Sequence, residues 1–458
     1  MTLLARIMSH KTFAHGVHPP EHKESTEGKR SRRLPFPEEL VIPLSQHTGA
    51  PAKPIVREGQ EVVRGEPIAE AGGFVSVPMH APATGIVGRI DLARDARGTM
   101  TPAVFVEPYP GASQEVLYGT DVDIEALSKE ELIRAVQDTG VVGLGGAAFP
   151  THVKLAVPEG KSVDTVIVNG CECEPYLTTD HRVMLEQPDD IFKGLQIVMR
   201  AMEAERGVVG VETNKMDAVE VLRSRIPDGQ PVTVEAVLTK YPQGAEKMLI
   251  KALLDREVPS GGLPVDCGAG VFNVATLAQI GELLPKKRGL IERVITVTGP
   301  GVTKPGNYLV PLGTPLRYAL DYCGYKGDEA TEVILGGPMM GVAIGSVDIP
   351  ITKGITGILV MTREGVRALG GDRDGGRSLP CIKCATCVDT CPMHLNPSQL
   401  GLLARKSEYD VMASEYHLLD CFECGCCSYV CPSGIPLVQY FRIAKAIVRE
   451  RQGAAKAP

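Results

Sequence analysis

The chain has 458 residues, enough for several folded domains, and its formal net charge of −7 argues against a nucleic-acid-binding surface. The sequence has no apolar run of about 18 residues, so no membrane-spanning helix is predicted. Thirteen cysteines and a start too short for a secretory signal indicate a reducing compartment, and 50 glycines with 35 prolines favour turn-rich β modules over a helical bundle.

The N-terminal segment, residues 1–37, is predicted to be an extended arm on the domain surface. It contains four closely spaced histidines: His10, His15, His18 and His22. Because no thiolate or carboxylate frame accompanies them, surface packing is favoured over a metal site.

Residues 38–110 alternate short apolar runs with turn residues, which predicts a small all-β domain. The pattern resembles the barrel-sandwich hammerhead of biotinyl and lipoyl domains. Those carriers present a modifiable lysine at a hairpin tip, where this chain has Glu70–Val75. We therefore expect a structural or docking module.

Residues 120–290 have the strand and helix pattern of an α/β domain, with a helix predicted to begin at Ser128. That helix leads into residues 143–150, here called the glycine loop. The loop fits a loose dinucleotide fingerprint, but a helix precedes it where the fingerprint needs a strand. Its glycines can still expose amides to phosphate oxygens, and Lys154 can add a positive charge. An ordinary turn is the alternative.

A buried parallel strand is predicted at Val163–Asn169, followed by the polar segment Gly170–Pro175. Residues 170–177 are here called the acidic loop. Open α/β sheets bind ligands just beyond the carboxyl ends of their strands. Cys171 and Cys173 in this loop are interpreted as ordinary thiols, because no second cysteine pair is near in the sequence.

Two further segments complete this domain. A strand is predicted at Val232–Leu238, and an amphipathic helix follows within Tyr241–Leu254. Residues 270–277 are predicted to open another helix, whose free amides can meet anionic groups.

Residues 291–355 change to a strand, turn, strand, helix and strand order, which suggests a compact β-grasp domain of the SLBB kind. Residues 356–379 are predicted to be a linker, because Gly370–Arg377 is rich in glycine and charge.

Residues 380–458 are predicted to form a helical, ferredoxin-like domain with two [4Fe–4S] clusters and a C-terminal helix. Two runs there share the spacing C-x₂-C-x₂-C-x₃-C-P. Three sulfurs of such a run hold one cube and the fourth reaches the other cube. The first cluster is assigned to Cys381, Cys384, Cys387 and Cys431, and the second to Cys421, Cys424, Cys427 and Cys391. Cys426 is interpreted as a spare thiol, and a zinc or disulfide site is the alternative.

The C-terminal helix is predicted to pack against this cluster domain through one face: Tyr440, Ile443, Ala444 and Ile447. Its basic residues would lie on the other face, where acidic lipid headgroups are the alternative partner.

Four motifs, in this order, resemble the flavin- and NADH-binding subunit of respiratory complex I: Gly143–Pro150, Asn169–Pro175, Tyr241–Glu246 and Phe272–Leu277. The resemblance implies an FMN site formed by Gly143, Gly145, Gly146, Lys154, Asn169, Asn273 and Thr276. It also implies a nicotinamide nucleotide site shaped by Phe149, Glu172, Glu174 and Glu246. The chain departs from that family at Cys171, Ala245 and Phe272, where the family has Asp, Glu and Asn.

The whole domain order is similar to the C subunit of the Rnf electron-transport complex. That resemblance implies an NADH:ferredoxin oxidoreductase subunit using NAD(H), FMN and two [4Fe–4S] clusters, and reaching ferredoxin indirectly. Membrane subunits of the Rnf complex would move the ion and hold this chain peripherally on the cytoplasmic side of the cell inner membrane.

No catalytic side chain is expected, because a flavin itself converts a two-electron hydride into single electrons. Two other functions stay open. One is a soluble cobalamin reductase of a catabolic microcompartment, in which we expect the hammerhead-like unit to follow the clusters. The other is an iron–sulfur electron relay without flavin.

Overall fold

The computed structural model of the protein describes residues 11–327, 330–368 and 378–456. Along the chain these residues form a two-sheet β domain, a parallel α/β domain, a mixed β-grasp-type sheet and a helical domain. The multidomain organisation predicted from the sequence is therefore present. No helix within the described ranges is long and apolar enough to cross a membrane.

The strands are β1 (Arg32–Arg33), β2 (Leu40–Pro43), β3 (Lys53–Pro54), β4 (Glu61–Val62), β5 (Pro67–Glu70), β6 (Met79–His80), β7 (Gly85–Arg94), β8 (Met100–Pro108), β9 (Thr165–Gly170), β10 (Arg206–Glu212), β11 (Val232–Val237), β12 (Ala269–Asn273), β13 (Glu292–Thr298), β14 (Gly306–Pro311), β15 (Ala330–Leu335), β16 (Val342–Ala343) and β17 (Gly357–Thr362). The α-helices are α1 (Lys129–Asp138), α2 (Thr151–Leu155), α3 (Thr179–Glu186), α4 (Pro188–Met202), α5 (Met216–Ser224), α6 (Glu246–Leu254), α7 (Val274–Leu283), α8 (Leu316–Tyr322), α9 (Arg363–Ala368), α10 (Thr386–Asp389), α11 (Pro397–Arg405), α12 (Tyr409–Ser414), α13 (Cys426–Tyr429) and α14 (Leu437–Lys456).

The β domain consists of two antiparallel sheets, ordered β2-β8-β7-β4 and β3-β5-β6. Its hairpin tip rests on the α/β domain: Phe74 O accepts a hydrogen bond from His152 Nε2 at 2.6 Å, and Ser76 O accepts one from Gln137 Nε2 at 3.0 Å. The tip that carries lysine in carrier domains is thus a docking contact in this chain.

The α/β domain has a four-stranded parallel sheet in the order β11-β10-β9-β12. The strands predicted at 163–169 and 232–238 are confirmed as β9 and β11. The helix predicted at Ser128 is confirmed as α1, because the Ser128 hydroxyl and the Glu131 carboxylate cap it reciprocally.

The helix predicted to open at residues 270–277 is wrong in its first half. Residues 269–273 form β12, which pairs in parallel with β9, and α7 begins only at Val274. The Asn273 side chain caps α7, so the change from strand to helix occurs at that residue.

The linker predicted over residues 356–379 is wrong at its start. Residues 357–362 form β17, which pairs in parallel with β13 and antiparallel with β15 inside the six-stranded sheet β1-β14-β13-β17-β15-β16. Ile358, Leu359 and Val360 are fully buried, and this apolar run explains the strand. The helix α9 follows, and the glycine-rich residues 370–377 lie outside the described residues.

The arm predicted to lie on the surface is instead partly buried between the domains. Phe13, Val17, Lys23 and Thr26 are buried, and the arm ends as β1, parallel to β14. Apolar residues spaced among the basic ones give the arm this inner face.

The C-terminal helix packs against the cluster domain as predicted, with Ala444 and Tyr440 in the packing face, but the rest of that face differs from the prediction. Phe441, Ala444 and Lys445 are buried on α14, whereas Ile443 is 54% exposed. Lys445 can be buried because its ammonium donates hydrogen bonds to Cys421 O and the Glu423 carboxylate, while its stem packs as an apolar group.

Candidate functional site

The glycine loop lies against the N-terminus of α7. It is closed by hydrogen bonds from Gly143 N to Phe149 O at 2.8 Å and from Ala148 N to Gly143 O at 3.0 Å. Leu144 N donates to Thr276 Oγ1 at 2.9 Å, which ties the loop to the first turn of the helix. Among the described residues, none accepts a hydrogen bond from the amides of residues 145–147, so these exposed amides are available to an anionic ligand.

Asn273 organises the space between the loop and α7. Its Oδ1 accepts hydrogen bonds from the Ala275 and Thr276 amides, and its Nδ2 donates to Asp180 Oδ2 at 2.7 Å. A Cβ atom on Gly145 would lie 3.3 Å from Asn273 Nδ2, and Gly146 has a φ of +111°. The backbone at Gly146 favours glycine, a side chain at Gly145 would crowd Asn273, and the residues fit a cradle for a phosphate-bearing cofactor.

Lys154 and Glu246 form an ion pair at the edge of this cradle, with Nζ and Oε2 3.1 Å apart. The Lys154 ammonium also donates to Val271 O and lies 5.9 Å from the centroid of the Phe272 ring. Both charged side chains are more than a third exposed, so the pair is weak and Lys154 can exchange its partner for a ligand.

The acidic loop is fixed by its own side chains. Asn169 Oδ1 accepts from Cys171 N at 3.0 Å, and Asn169 Nδ2 donates to Gly244 O at 2.8 Å. Glu172 accepts hydrogen bonds from the amides of Asp180 and His181 at the start of α3. Its carboxylate therefore holds the loop against the helix.

Glu174 reaches the β-grasp-type sheet. It accepts hydrogen bonds from Met339 N at 3.0 Å and Met340 N at 2.7 Å, and burial raises its pKa to about 7. Phe149, at the end of the glycine loop, is partly buried. The nucleotide-binding role implied for Phe149, Glu172, Glu174 and Glu246 stays a prediction, and for Glu172 and Glu174 it would act through the shape of the loop.

Two residues of this region do not stand out in the sequence. Asp180 is buried beside Asn273 and Glu172, and Arg293 from β13 donates a hydrogen bond to Leu144 O at 3.0 Å beneath the glycine loop. Neither belongs to a motif: Asp180 bonds Asn273, which is 93 residues away, and Arg293 bonds Leu144, which is 149 residues away.

Asp180→Asn is predicted to change how stability depends on pH. Burial and the nearby Glu172 carboxylate raise the pKa of Asp180 from 3.8 to about 7, so the fold favours its protonated form. That contribution to stability is present below about pH 4 and is lost as the pH rises towards 7. The melting temperature of the variant should therefore rise relative to that of the parent between these pH values. A constant difference would show that Asp180 is ionised throughout.

The eight predicted cysteine ligands line two separate cavities of the helical domain. The first cavity is lined by Cys381, Cys384, Cys387 and Cys431, and the second by Cys391, Cys421, Cys424 and Cys427. Each cavity combines three cysteines of one run with the last cysteine of the other. All thirteen cysteines of the chain are free thiols.

The two cysteine-lined cavities fit a pair of iron–sulfur cubes. Among the described residues, no three histidine, cysteine or acidic side chains converge as the ligands of one ion must. A cube binds one cysteine at each of its four iron corners, so two cavities each lined by four of the predicted ligands match its needs.

The second cavity adjoins the α/β domain. Tyr241 OH donates a hydrogen bond to Cys424 O at 2.6 Å, and Cys426, which also borders this cavity, is fully buried in a cluster with Val17 and Tyr241. The first cavity instead reaches solvent, since Cys384 is exposed and Ile382 is 67% exposed.

The chain combines a glycine loop suited to a phosphate group with two cavities that are each lined by four cysteines. These features are typical of an electron-transfer protein of the flavin and iron–sulfur class. Four protein families match successive segments of the chain: the RnfC barrel sandwich hybrid domain at residues 11–109, the Nuo51 FMN-binding domain at 136–282, the SLBB domain at 294–343 and the 4Fe-4S dicluster domain at 380–435. The chain belongs to the RnfC family, the C subunits of the ion-translocating ferredoxin:NAD(+) oxidoreductase complexes.

Relatives match over nearly the full length. The C subunit of the proton-translocating ferredoxin:NAD(+) oxidoreductase complex of Clostridium ljungdahlii is 44% identical over 95% of this chain and 94% of the relative. The C subunit of the Na(+)-translocating complex of Acetobacterium woodii is 42% identical over 97% and 99%. The C subunit of the ion-translocating oxidoreductase complex of Rhodobacter capsulatus is 37% identical over 95% and 83%.

Among solved structures, the chain is similar to an NAD+-reducing [NiFe]-hydrogenase in the H2-reduced state. The TM-score is 0.51 at 18% sequence identity, over 72% of this chain and 68% of the hydrogenase chain. This likeness concerns the fold alone.

Proposed function

We propose that this chain is the electron-entry subunit of its complex, exchanging electrons between NAD(H) and two [4Fe–4S] clusters through FMN. The observation that carries the proposal is the set of free amides at residues 145–147, next to the N-terminus of α7, in a domain that contacts the second cysteine cavity through Tyr241. When bound, FMN would supply the conversion between two-electron and one-electron transfer.

The residues of the cradle have distinct roles in this proposal. The amides of residues 145–147 and the N-terminus of α7 would bind the flavin phosphate, and Lys154 would add a charge. Gly143 shapes the loop, while Asn169, Asn273 and Thr276 fix its surroundings. No side chain is needed as a general acid or base.

The proposed order of electron transfer follows from the contacts of the two cavities. The second cluster, on Cys391, Cys421, Cys424 and Cys427, would be the first acceptor, because Tyr241 and Met339 of the neighbouring domains pack directly on its binding segment. The first cluster would pass electrons outward, because its cavity is exposed at Cys384.

The partners in this proposal are membrane subunits of an Rnf-type complex, with ferredoxin reached indirectly. The names of the relatives describe ferredoxin:NAD(+) oxidoreductase complexes that translocate protons or Na(+). The chain would lie peripherally on the cytoplasmic side of the cell inner membrane.

The electron-entry role in an Rnf-type complex is preferred to that of a soluble cobalamin reductase, because the β domain precedes the cysteine cavities here and the full-length relatives carry the names of oxidoreductase complex subunits. It is preferred to a flavin-free relay, because a relay has no use for the free amides of the cradle.

The test uses anoxically purified and reconstituted protein. NADH is expected to bleach the flavin absorbance, because in this proposal the bound flavin would accept the hydride. Dithionite serves as the control for a flavin that can be reduced. A flavin that dithionite reduces but NADH leaves oxidised would contradict direct hydride acceptance.

A further inference from the structure

Residues 13–27 of the N-terminal arm, here called the strap, contact the segment that leads to a ligand of the second cluster. Gly16 N donates a hydrogen bond to Thr390 O at 3.1 Å, and His15 Nδ1 donates to Asp389 O. The His15 ring also packs edge-on against His394, with centroids 4.5 Å apart. The strap therefore bonds the backbone just before Cys391 and contacts the His394 side chain just after it.

The strap also pairs with the Tyr241 segment of the α/β domain. Val17 N donates to Tyr241 O at 2.8 Å, and Tyr241 N donates back to Val17 O at 2.9 Å. Lys240 Nζ donates to Phe13 O at 2.8 Å. Tyr241 OH is bonded to Cys424 O. The strap and Tyr241 together therefore contact the segments that line the second cavity at two places, near Cys391 and at Cys424.

Further along, the strap fixes the acidic loop. Lys23 is 4% exposed, and its ammonium donates hydrogen bonds to the carbonyl oxygens of Glu172, Glu174 and Leu177. Tyr176 N donates to Glu21 O at 2.8 Å. One buried ammonium group thus pairs with three carbonyl oxygens of the acidic loop, and its loss would leave these buried acceptors without that partner.

We propose that the strap is a positioning element for electron transfer, which holds the flavin domain and the second cluster at a fixed separation. Its two points of attachment are Lys23 at the acidic loop and His15–Gly16 at the segment before Cys391. This inference rests on the proposed function. Small displacements of reacting groups cost large factors in rate, so loosening the strap should slow the step between the cofactors.

Gly16→Ala tests the proposal. The new Cβ would lie 2.6 Å from Tyr241 O, and the φ of +81° is unfavourable for alanine. Gly28→Ala is the matched control, because nothing lies within 4 Å of the Cβ position there. The expected result is that NADH reduces the flavin at the parent rate in both variants, whereas the following reduction of the clusters slows about tenfold in Gly16→Ala only.

A second pair of variants covers the case in which Gly16→Ala does not fold. His15→Ala removes an exposed side chain together with its hydrogen bond to Asp389 O and its ring contact with His394, and His18→Ala is its control in the same strap. Slower cluster reduction is expected in His15→Ala alone. Hydrogen exchange at residues 389–394 should rise in the same variants that show slower cluster reduction.

The split between the two steps separates positioning from general stability. Cluster reduction at the parent rate in both Gly16→Ala and His15→Ala would overturn the strap proposal, as would equal slowing in the two controls. Failure of the proposed function itself would look different, because NADH would then leave the flavin oxidised in the parent protein as well.

Discussion

Cys391→Ser is expected to lose the second cluster and retain the first, leaving about four of about eight irons per chain. Cys391 belongs to the first cysteine run by sequence, yet it lines the cavity formed by the second run. Serine is a poor substitute for a thiolate at an iron corner, so the cage around the second cluster would be left open. Iron analysis and the electron paramagnetic resonance spectrum of the dithionite-reduced protein measure this loss.

Cys426→Ser is the matched control. Cys426 borders the same cavity and is fully buried, but the spacing predicts it to be a spare thiol. It should retain both clusters. Loss of iron in Cys426→Ser together with full iron in Cys391→Ser would contradict the ligand assignment.

Gly145→Val is expected to lower the affinity for FMN by about 100-fold, or ~2.7 kcal/mol. Even a Cβ at this position would lie 3.3 Å from Asn273 Nδ2, so the larger side chain must displace the cap of α7 or cover the free amides. Equilibrium binding of FMN to flavin-stripped protein, followed by quenching of flavin fluorescence, measures the change.

Gly111→Val is the control for this variant, because nothing lies within 4 Å of its Cβ position. It should bind FMN as the parent does. Parent-like FMN binding by Gly145→Val would show that the glycine loop is not the flavin cradle.

The features that the sequence predicts correctly are those set by local patterns. The crossed grouping of the cysteines follows from spacing, and the structure gathers the same two sets of four around two cavities, while their role as cluster ligands stays a prediction. Likewise, Ser128 with Glu131 indicates the start of α1, because a capping box is contained within four residues.

The features that the sequence does not predict depend on contacts between distant parts of the chain. Lys23 lies about 150 residues from the carbonyls that it binds, and its own sequence context is that of an exposed basic arm. The strand β17 falls in a predicted linker because its partner strands, β13 and β15, precede it in other segments. The predicted start of α7 is too early because β12 and α7 share a continuous apolar run across Asn273.

The most direct test of the electron-entry role adds NADH to anoxic protein with FMN and to the same protein stripped of flavin, and follows the reduced clusters by electron paramagnetic resonance. If FMN joins a two-electron donor to one-electron acceptors, NADH should reduce the clusters only in the flavin-loaded sample, while dithionite should reduce them in both. Equal reduction by NADH without flavin, or none in the loaded protein, would contradict electron entry through a flavin.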